Sequence, residues 1–368
     1  MSLTSTPTPL PQRQNLYSFS EEQLRAELIA QKQPKFRATQ VCEWVYHKGA
    51  QSFEEMSNLP KALRESLAER YAFGELNLKT RQVSRDGTEK RLYALPDGKL
   101  IESVLMPYGD GRRTACISSQ AGCAMGCTFC ATGQMGFDRH LSPEEIFEQA
   151  QRFSAELQQR GERLSNIVMM GMGEPFHNYD NVIQALHMIM ERLEIGARRI
   201  TVSTVGLVPK IKRFAQEGLQ VKLAISLHST RDEERREIMP VNKRYPIAEL
   251  IEACHEFVRA TNRRVTFEWA LIQGQNDSVE EATRLATLLK GLLCHVNVIP
   301  LNPTAGYEGA PSDPERVGRF VETLERLGVP ATVRMRRGID IDAGCGQLKS
   351  AAEGQEHTQG EALVQVEG

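Results

Sequence analysis

The sequence predicts an α/β fold: a parallel sheet of six β/α units closing part of a barrel, preceded by a small helical domain and a β-hairpin linker. Two observations predict it. From about residue 112 to 338, short apolar runs of strand length alternate with segments of helical periodicity. Before about residue 75, only helical patterns occur. A third observation places the chemistry. Cys123, Cys127 and Cys130 fall together on the loop after the first of these strands. Such folds gather ligands at the C-terminal ends of their strands.

Residues 1–15 are rich in Pro, Thr and Ser and lack the apolar core of a secretory signal, so a disordered lead-in is expected. Residues 16–74 read as helices that could grip a partner. Ser20 and Gln23 have capping-box spacing, and "ATQVCEWVYHKG" ends on a glycine that suits a helix C-terminus. Residues 75–111 alternate apolar and polar side chains around the turn signals "RDG" and "PDG", which predicts one or two hairpins.

In residues 112–348 the expected strands are "RTACISSQ", "NIVMMGM", "RITVSTVG", "VKLAISLHS", "VTFEWALIQ" and "VNVIPLN", with "ATVRMRRG" as a candidate seventh. Helix starts are marked by Ser142-Pro143-Glu144-Glu145, by Ser278 with Glu281, and by Asp313-Pro314. Six units fall short of a closed eight-fold barrel. Residues 349–368 are poor in apolar side chains, and a disordered acidic tail is expected.

Hydrophobic residues make up 40% and charged residues 25% of the 368 residues, an ordinary globular balance. No apolar run approaches the roughly 18 residues of a membrane span. The formal charge of −2 hides an asymmetry: "AAEGQEHTQGEALVQVEG" carries four Glu and no Lys or Arg, and without it the balance turns positive. Basic clusters recur in "KFRATQ", "GARRI", "PKIKR", "VNKRYP", "NRRV" and "RMRRG". Singly they read as solvated helix ends; together they permit an RNA-binding face.

The eight cysteines, without a secretory signal, point to a reducing, cytoplasmic setting. Cys42, Cys254 and Cys294 lie in apolar helical patterns and read as buried fillers. The run "GCAMGCTFCATG" spaces its thiols C-x3-C-x2-C. A structural zinc site wants four ligands, and the eight histidines are dispersed. Three thiols on one loop suit three irons of a [4Fe–4S] cube, leaving the fourth iron open for a ligand. At the next strand end, "GMGEP" offers Gly171 and Gly173 for close backbone approach and Glu174 as a carboxylate for an ammonium group. A glycine-rich turn with a solvated Glu is the alternative reading.

The spacing, with Phe129 just before the last cysteine, resembles the signature of radical S-adenosylmethionine (SAM) enzymes. "CISSQAGCAMGCTFC", "GMGEP" and "GIDIDAGCGQL" together resemble the RlmN/Cfr family of RNA adenine methyltransferases, over about residues 16–349. The resemblance implies a radical SAM partial barrel and one [4Fe–4S] cluster on Cys123, Cys127 and Cys130 that binds SAM. Gly173, Glu174, Ser203, Ser226, Leu227, His228 and Asn302 match positions that contact this cofactor. Cys345 would take a methyl group from one SAM. A second SAM would give the radical that activates this group for addition to adenine. Cys116 would then resolve the covalent adduct through a transient disulfide with Cys345, and Glu102 matches a proposed proton acceptor, a role open also to Cys116.

The implied substrates are an adenine near the peptidyl-transferase centre of 23S rRNA and the adenine beside the anticodon of some tRNAs. A flavodoxin or ferredoxin would donate electrons to a monomeric enzyme, with no membrane association. Methylation at C2 is the favoured reading. A Cfr-type enzyme acting at C8 shares every cysteine named, and a non-catalytic, metal-containing RNA-binding or ribosome-assembly protein is the alternative from another class.

Overall fold

The computed structural model describes residues 13–349. Most of the lead-in and all of the tail beyond Lys349 lie outside the described residues. The chain divides into two compact units, one of residues up to Glu75 together with Ser154–Glu162, the other of Leu76–Phe153 and the residues from Arg163 onward.

In the first unit a short strand β1 (Gln14–Asn15) pairs in parallel with β2 (Tyr71–Ala72). Between them lie α1 (Glu21–Ala30), α2 (Phe36–Cys42), which continues into one π-helical turn over Glu43–His47, and α3 (Lys61–Arg70). The capping box forms as the spacing predicts: Ser20 Oγ accepts the Gln23 N–H at 3.1 Å, and Gln23 Oε1 accepts the Ser20 N–H at 2.8 Å. Leu24, Leu28, Val41 and Leu67 fill the core. Cys42 is half-buried, not the buried filler expected, because the neighbouring Val41 takes the core position. Residues 154–162 join this unit through their side chains. Gln158 Nε2 donates to the Tyr46 carbonyl at 3.0 Å, and Gln159 Nε2 to that of Gly49 at 3.3 Å.

The second unit is built on a ten-stranded sheet. Its first strands are β3 (Asn77–Val83), β4 (Glu89–Ala94), β5 (Leu100–Pro107) and β6 (Arg113–Cys116). A two-stranded ribbon of β7 (Gln120–Gly122) and β8 (Phe137–His140) flanks the short α4 (Ala131–Met135). The β/α alternation follows: α5 (Pro143–Gln159), β9 (Asn166–Met169), α6 (Tyr179–Arg192), β10 (Ile200–Thr204) and α7 (Val208–Phe214). Next come β11 (Lys222–Ser226), α8 (Asp232–Ile238), α9 (Ile247–Thr261), β12 (Val265–Leu271) and α10 (Val279–Leu288). The chain then forms β13 (Cys294–Pro300), α11 (Pro314–Arg326) and β14 (Ala331–Val333).

The sheet order is β14-β13-β12-β11-β10-β9-β6-β5-β4-β3, and β6 with β9 to β14 make seven parallel strands. The candidate seventh strand is therefore present, and the sheet stays open between β3 and β14. The hairpins over 75–111 are no separate linker. They extend the same sheet, because β5 pairs antiparallel with β6. Both β4 and β5 are almost wholly buried, so each needs a neighbour on either edge.

Ser278 and Asp313 cap α10 and α11 as expected. Cys254 and Cys294 are buried fillers. On the far side of β12, the Trp269 ring lies 5.8 Å from Phe320 of α11, and its Nε1 donates to the Asn276 carbonyl at 3.3 Å. Truncating this fully buried indole in Trp269→Ala should cost about 3–5 kcal/mol. Urea unfolding checks it, and an unchanged midpoint would contradict the packing described.

Candidate active site

The loop from β7 into α4 carries Cys123, Cys127 and Cys130. It is wound tightly: a Cβ on Gly133 would lie 2.8 Å from the Cys127 carbonyl oxygen. The Cys123 N–H donates to the Gly136 carbonyl at 2.6 Å, and the Cys130 N–H to that of Cys127 at 3.3 Å. Burial pushes the Cys123 thiol up to about 12. Burial, then the neighbouring thiols, lifts Cys127 well above the ordinary thiol range, and burial raises Cys130. Thiols so placed become thiolates only with a cation bound to them. Among the described residues, no three His, Cys, Asp or Glu side chains converge on one metal ion. Three thiols on one loop fit a cube, which takes one thiolate at each of several irons.

These cysteines line a cavity of about 1040 Å³, counting the space open to solvent. The strand ends supply the rest of its wall: Gly173 and Glu174 after β9, Ser203 on β10, Ser226 and His228 at β11, and Asn302 after β13. Gly173 has φ +100°, and a Cβ there would sit 2.6 Å from that of Gln120. Gln120 in turn accepts the Glu174 N–H at 2.7 Å. The Glu174 carboxylate accepts the N–H groups of Phe176 at 3.0 Å and Val205 at 2.9 Å, yet burial pushes it up to about 7. A cationic ligand would relieve that desolvation.

His228 has φ +60° and accepts the Ala270 N–H on Nδ1 at 2.9 Å. Burial and the nearby Arg235 hold it down to about 3, so the ring is neutral and carries its proton on Nε2. Asn302 Nδ2 donates to the Cys345 carbonyl at 3.0 Å, while its buried Oδ1 has no partner. Leu227 is the exception among the expected contacts. Its side chain is buried away from the cavity, its N–H donates to the Glu268 carbonyl at 3.2 Å, and its carbonyl accepts Arg235 Nε at 3.0 Å.

A second cavity, of about 530 Å³, is lined by Cys116, Tyr108, Met335 and Arg334. Cys345 lines both cavities. Its segment is tied down on either side: the Gly346 carbonyl accepts the Ala131 N–H at 2.7 Å, and the Leu348 carbonyl accepts Thr132 Oγ1 at 2.6 Å. Cys116 and Cys345 are both free thiols. Burial, then the adjacent Cys345, pushes Cys116 up to about 12, and the Arg334 guanidinium draws both thiols back down.

Arg334 and Glu268 are site residues that sequence reasoning missed. Glu268 lines the first cavity, accepts Asn297 Nδ2 at 2.9 Å and lies 4.0 Å from Arg334 Nη1. Its signal was available: a lone carboxylate inside the apolar run "VTFEWAL" must find a partner when buried. Glu102 lines neither cavity. Its Oε2 accepts the Lys349 N–H at 2.9 Å, and its Oε1 lies 3.1 Å from Lys90 Nζ.

Residues 117–286 match the model of the radical SAM superfamily, and residues 14–72 that of the ribosomal RNA large subunit methyltransferase N-terminal domain. The dual-specificity RNA methyltransferase RlmN 1 of Myxococcus xanthus is 47% identical over 342 residues, spanning 92% of this chain and 95% of that one. The chain belongs to the RlmN family of radical SAM RNA methyltransferases. A probable dual-specificity RNA methyltransferase RlmN of Geobacillus kaustophilus is 45% identical over 97% of both chains. The crystal structure of a radical SAM methyltransferase from Sphaerobacter thermophilus matches with a TM-score of 0.87 and 48% identity, over 91% of this chain and 99% of that one.

Membership of the RlmN family makes the chain an enzyme that methylates RNA with SAM and an iron–sulfur cluster, and excludes the non-catalytic alternative. The three buried thiols fit the cluster. The raised Glu174 and the orphaned Asn302 Oδ1 fit a cofactor bearing an ammonium group and hydrogen-bond donors. Gly173→Ala should push Gln120 off the Glu174 N–H and weaken SAM binding at least about tenfold, a loss of about 1.4 kcal/mol. Equilibrium dialysis of labelled SAM against reconstituted protein measures this, with the melting temperature as a folding control. Unchanged affinity would contradict the assigned role of the Gly173 turn.

Proposed function

We propose that the chain methylates C2 of adenine in 23S rRNA and in tRNA, by way of an S-methylated Cys345 and a covalent protein–RNA adduct. The observation that carries the reading is the position of Cys345, whose side chain lines both the cofactor cavity and the cavity that holds Cys116. The relatives' name, dual-specificity RNA methyltransferase, supports two kinds of RNA substrate.

Adenine C2 is an electron-poor amidine carbon and does not displace a methyl group from a sulfonium. Cys345 can, as thiolate, and Arg334 is the cation placed to favour that form. When bound, a [4Fe–4S] cluster on Cys123, Cys127 and Cys130 supplies the electron that turns a second SAM into a 5′-deoxyadenosyl radical. Glu174 and Asn302 hold that cofactor so that the radical meets the S-methyl group. That radical would take a hydrogen atom from the S-methyl group and leave as 5′-deoxyadenosine; the methylene carbon then bonds to adenine C2, the ring hydrogen leaves as a proton to a protein base, and the remaining electron would return to the oxidised cluster.

The Cys116 thiolate attacks the Cys345 sulfur. The carbon–sulfur bond breaks, the released carbon takes a proton to become the methyl group, and a disulfide remains. Two groups are candidates for the ring proton. Cys116 lines the second cavity, whereas Glu102 lines neither and is held by the Lys349 N–H and by Lys90. Arg336, Arg337 and Tyr108 line the same cavity, as suits a nucleotide drawn out of its stack at a cost of a few kcal/mol. In this reading residues 16–74 dock the RNA, a flavodoxin or ferredoxin is the electron donor, and the enzyme works as a monomer in a reducing cytoplasm.

Cys116→Ala should accumulate the covalent RNA adduct, and Cys345→Ala should form none; denaturing gels with labelled RNA distinguish them. Equal turnover by both variants and the parent would sink the two-thiol scheme. Mass spectrometry of digested rRNA should show 2-methyladenosine, and the 8-methyl isomer would instead select the Cfr-type reaction. Cys123→Ala should lower bound iron at least tenfold by colorimetric analysis, an effect of about 1.4 kcal/mol or more on metal binding. Full iron occupancy in that variant would remove Cys123 from the ligand set.

A further inference from the structure

Arg235, on α8, has no exposed surface. Its guanidinium donates to four oxygens: Nε to the Leu227 carbonyl at 3.0 Å, Nη1 to Asn242 Oδ1 at 2.8 Å, and Nη2 to the carbonyls of Val205 at 2.7 Å and Ser226 at 3.0 Å. None of these partners carries a charge. Asp232, on the same helix, instead accepts Asn242 Nδ2 and the Ile247 N–H, each at 2.8 Å. A buried cation satisfied only by neutral oxygens is costly, because hydrogen bonds do not replace the missing counter-ion.

The group placed to supply that counter-charge is the loop of three thiols. It is bonded to the end of α8, where the Ile238 carbonyl accepts the Thr128 N–H at 3.0 Å. Val205 and Ser226, whose carbonyls hold Arg235 Nη2, line the same cavity as Cys127. Glu174 faces the same thiols with the opposite sign, but its natural neighbour is the cofactor's ammonium group. As free thiols the three cysteines are neutral and leave Arg235 uncompensated. As thiolates on a metal cluster they are anionic.

We propose that Arg235 is the buried counter-charge of the iron–sulfur cluster, a positioning residue that ties the ends of β10 and β11 to the cluster loop and eases reduction of the cluster. The inference rests on the reading of Cys123, Cys127 and Cys130 as cluster ligands. One-electron reduction by an external low-potential donor adds negative charge beside a fixed cation, so the reduced state gains more than the oxidised one.

The test uses the full chain, reconstituted anaerobically, as parent, Arg235→Gln and Arg235→Lys. Each is titrated with dithionite and followed by electron paramagnetic resonance, with iron content and melting temperature recorded for apo and loaded protein. The Gln variant should have a more negative midpoint potential, and the Lys variant, which keeps the charge but not the hydrogen bonds, should return toward the parent value. Cluster loading should raise the melting temperature less in the Gln variant than in the parent. Should the Gln variant fail to accumulate, Arg235→Met repeats the neutral arm. Equal potentials in all three proteins, with a common loss of stability in both variants, would make Arg235 a merely structural residue and overturn the proposal. A parent that binds no iron would instead overturn the cluster assignment itself.

Discussion

Three thiols on one loop, two of them buried and one half-buried, constrain everything around them. Their burial holds them protonated, and only a bound cation makes them stable as anions. The loop is accordingly fixed from several sides: by the β7–β8 ribbon, by α8 through the Ile238 carbonyl, and by the Cys345 segment through the Gly346 carbonyl. The sheet supplies what the loop cannot. The C-terminal ends of the parallel strands and the loops after them bring Glu174, Ser203, Ser226, His228 and Asn302 around one space.

The same economy of placement links two chemistries that need different surroundings. In the proposed scheme, methyl uptake by Cys345 wants a thiolate, hence a nearby cation; radical chemistry wants a closed and largely apolar wall. Arg334 stands between Glu268 on the cofactor side and the two thiols on the other, so one half-buried guanidinium serves both. Met170 and Ile299 line both cavities and separate them without charge. Cys345 sits where the cavities meet, on a segment flanked by glycines and held by side chains from several elements.

Much of this was legible in the sequence, for identifiable reasons. The cysteine spacing, the capping boxes of α1 and α5 and the "GMGEP" turn are local patterns, and local patterns survive the loss of tertiary context. The place of the hairpins was not legible. Turn signals announce β3, β4 and β5, but nothing in them says that β5 will pair with β6 and extend the parallel sheet. Buried charges were the other blind spot. Arg334 sits in "RMRRG", which reads as an ordinary basic cluster, and only the structure shows it facing Glu268 and shows Arg235 fully buried. Leu227 shows the converse: its position beside Ser226 and His228 is right, but its side chain and backbone are already committed elsewhere.

The central claim is that the Cys345 sulfur carries the transferred carbon between the two cavities. Peptide mass spectrometry of the reconstituted protein after incubation with SAM, before any RNA is added, tests it most directly. The account predicts a single methyl group on the Cys345 peptide and none on the Cys116 peptide. An unmodified Cys345 in protein that binds iron and SAM, or a methyl group found on Cys116 instead, would contradict it.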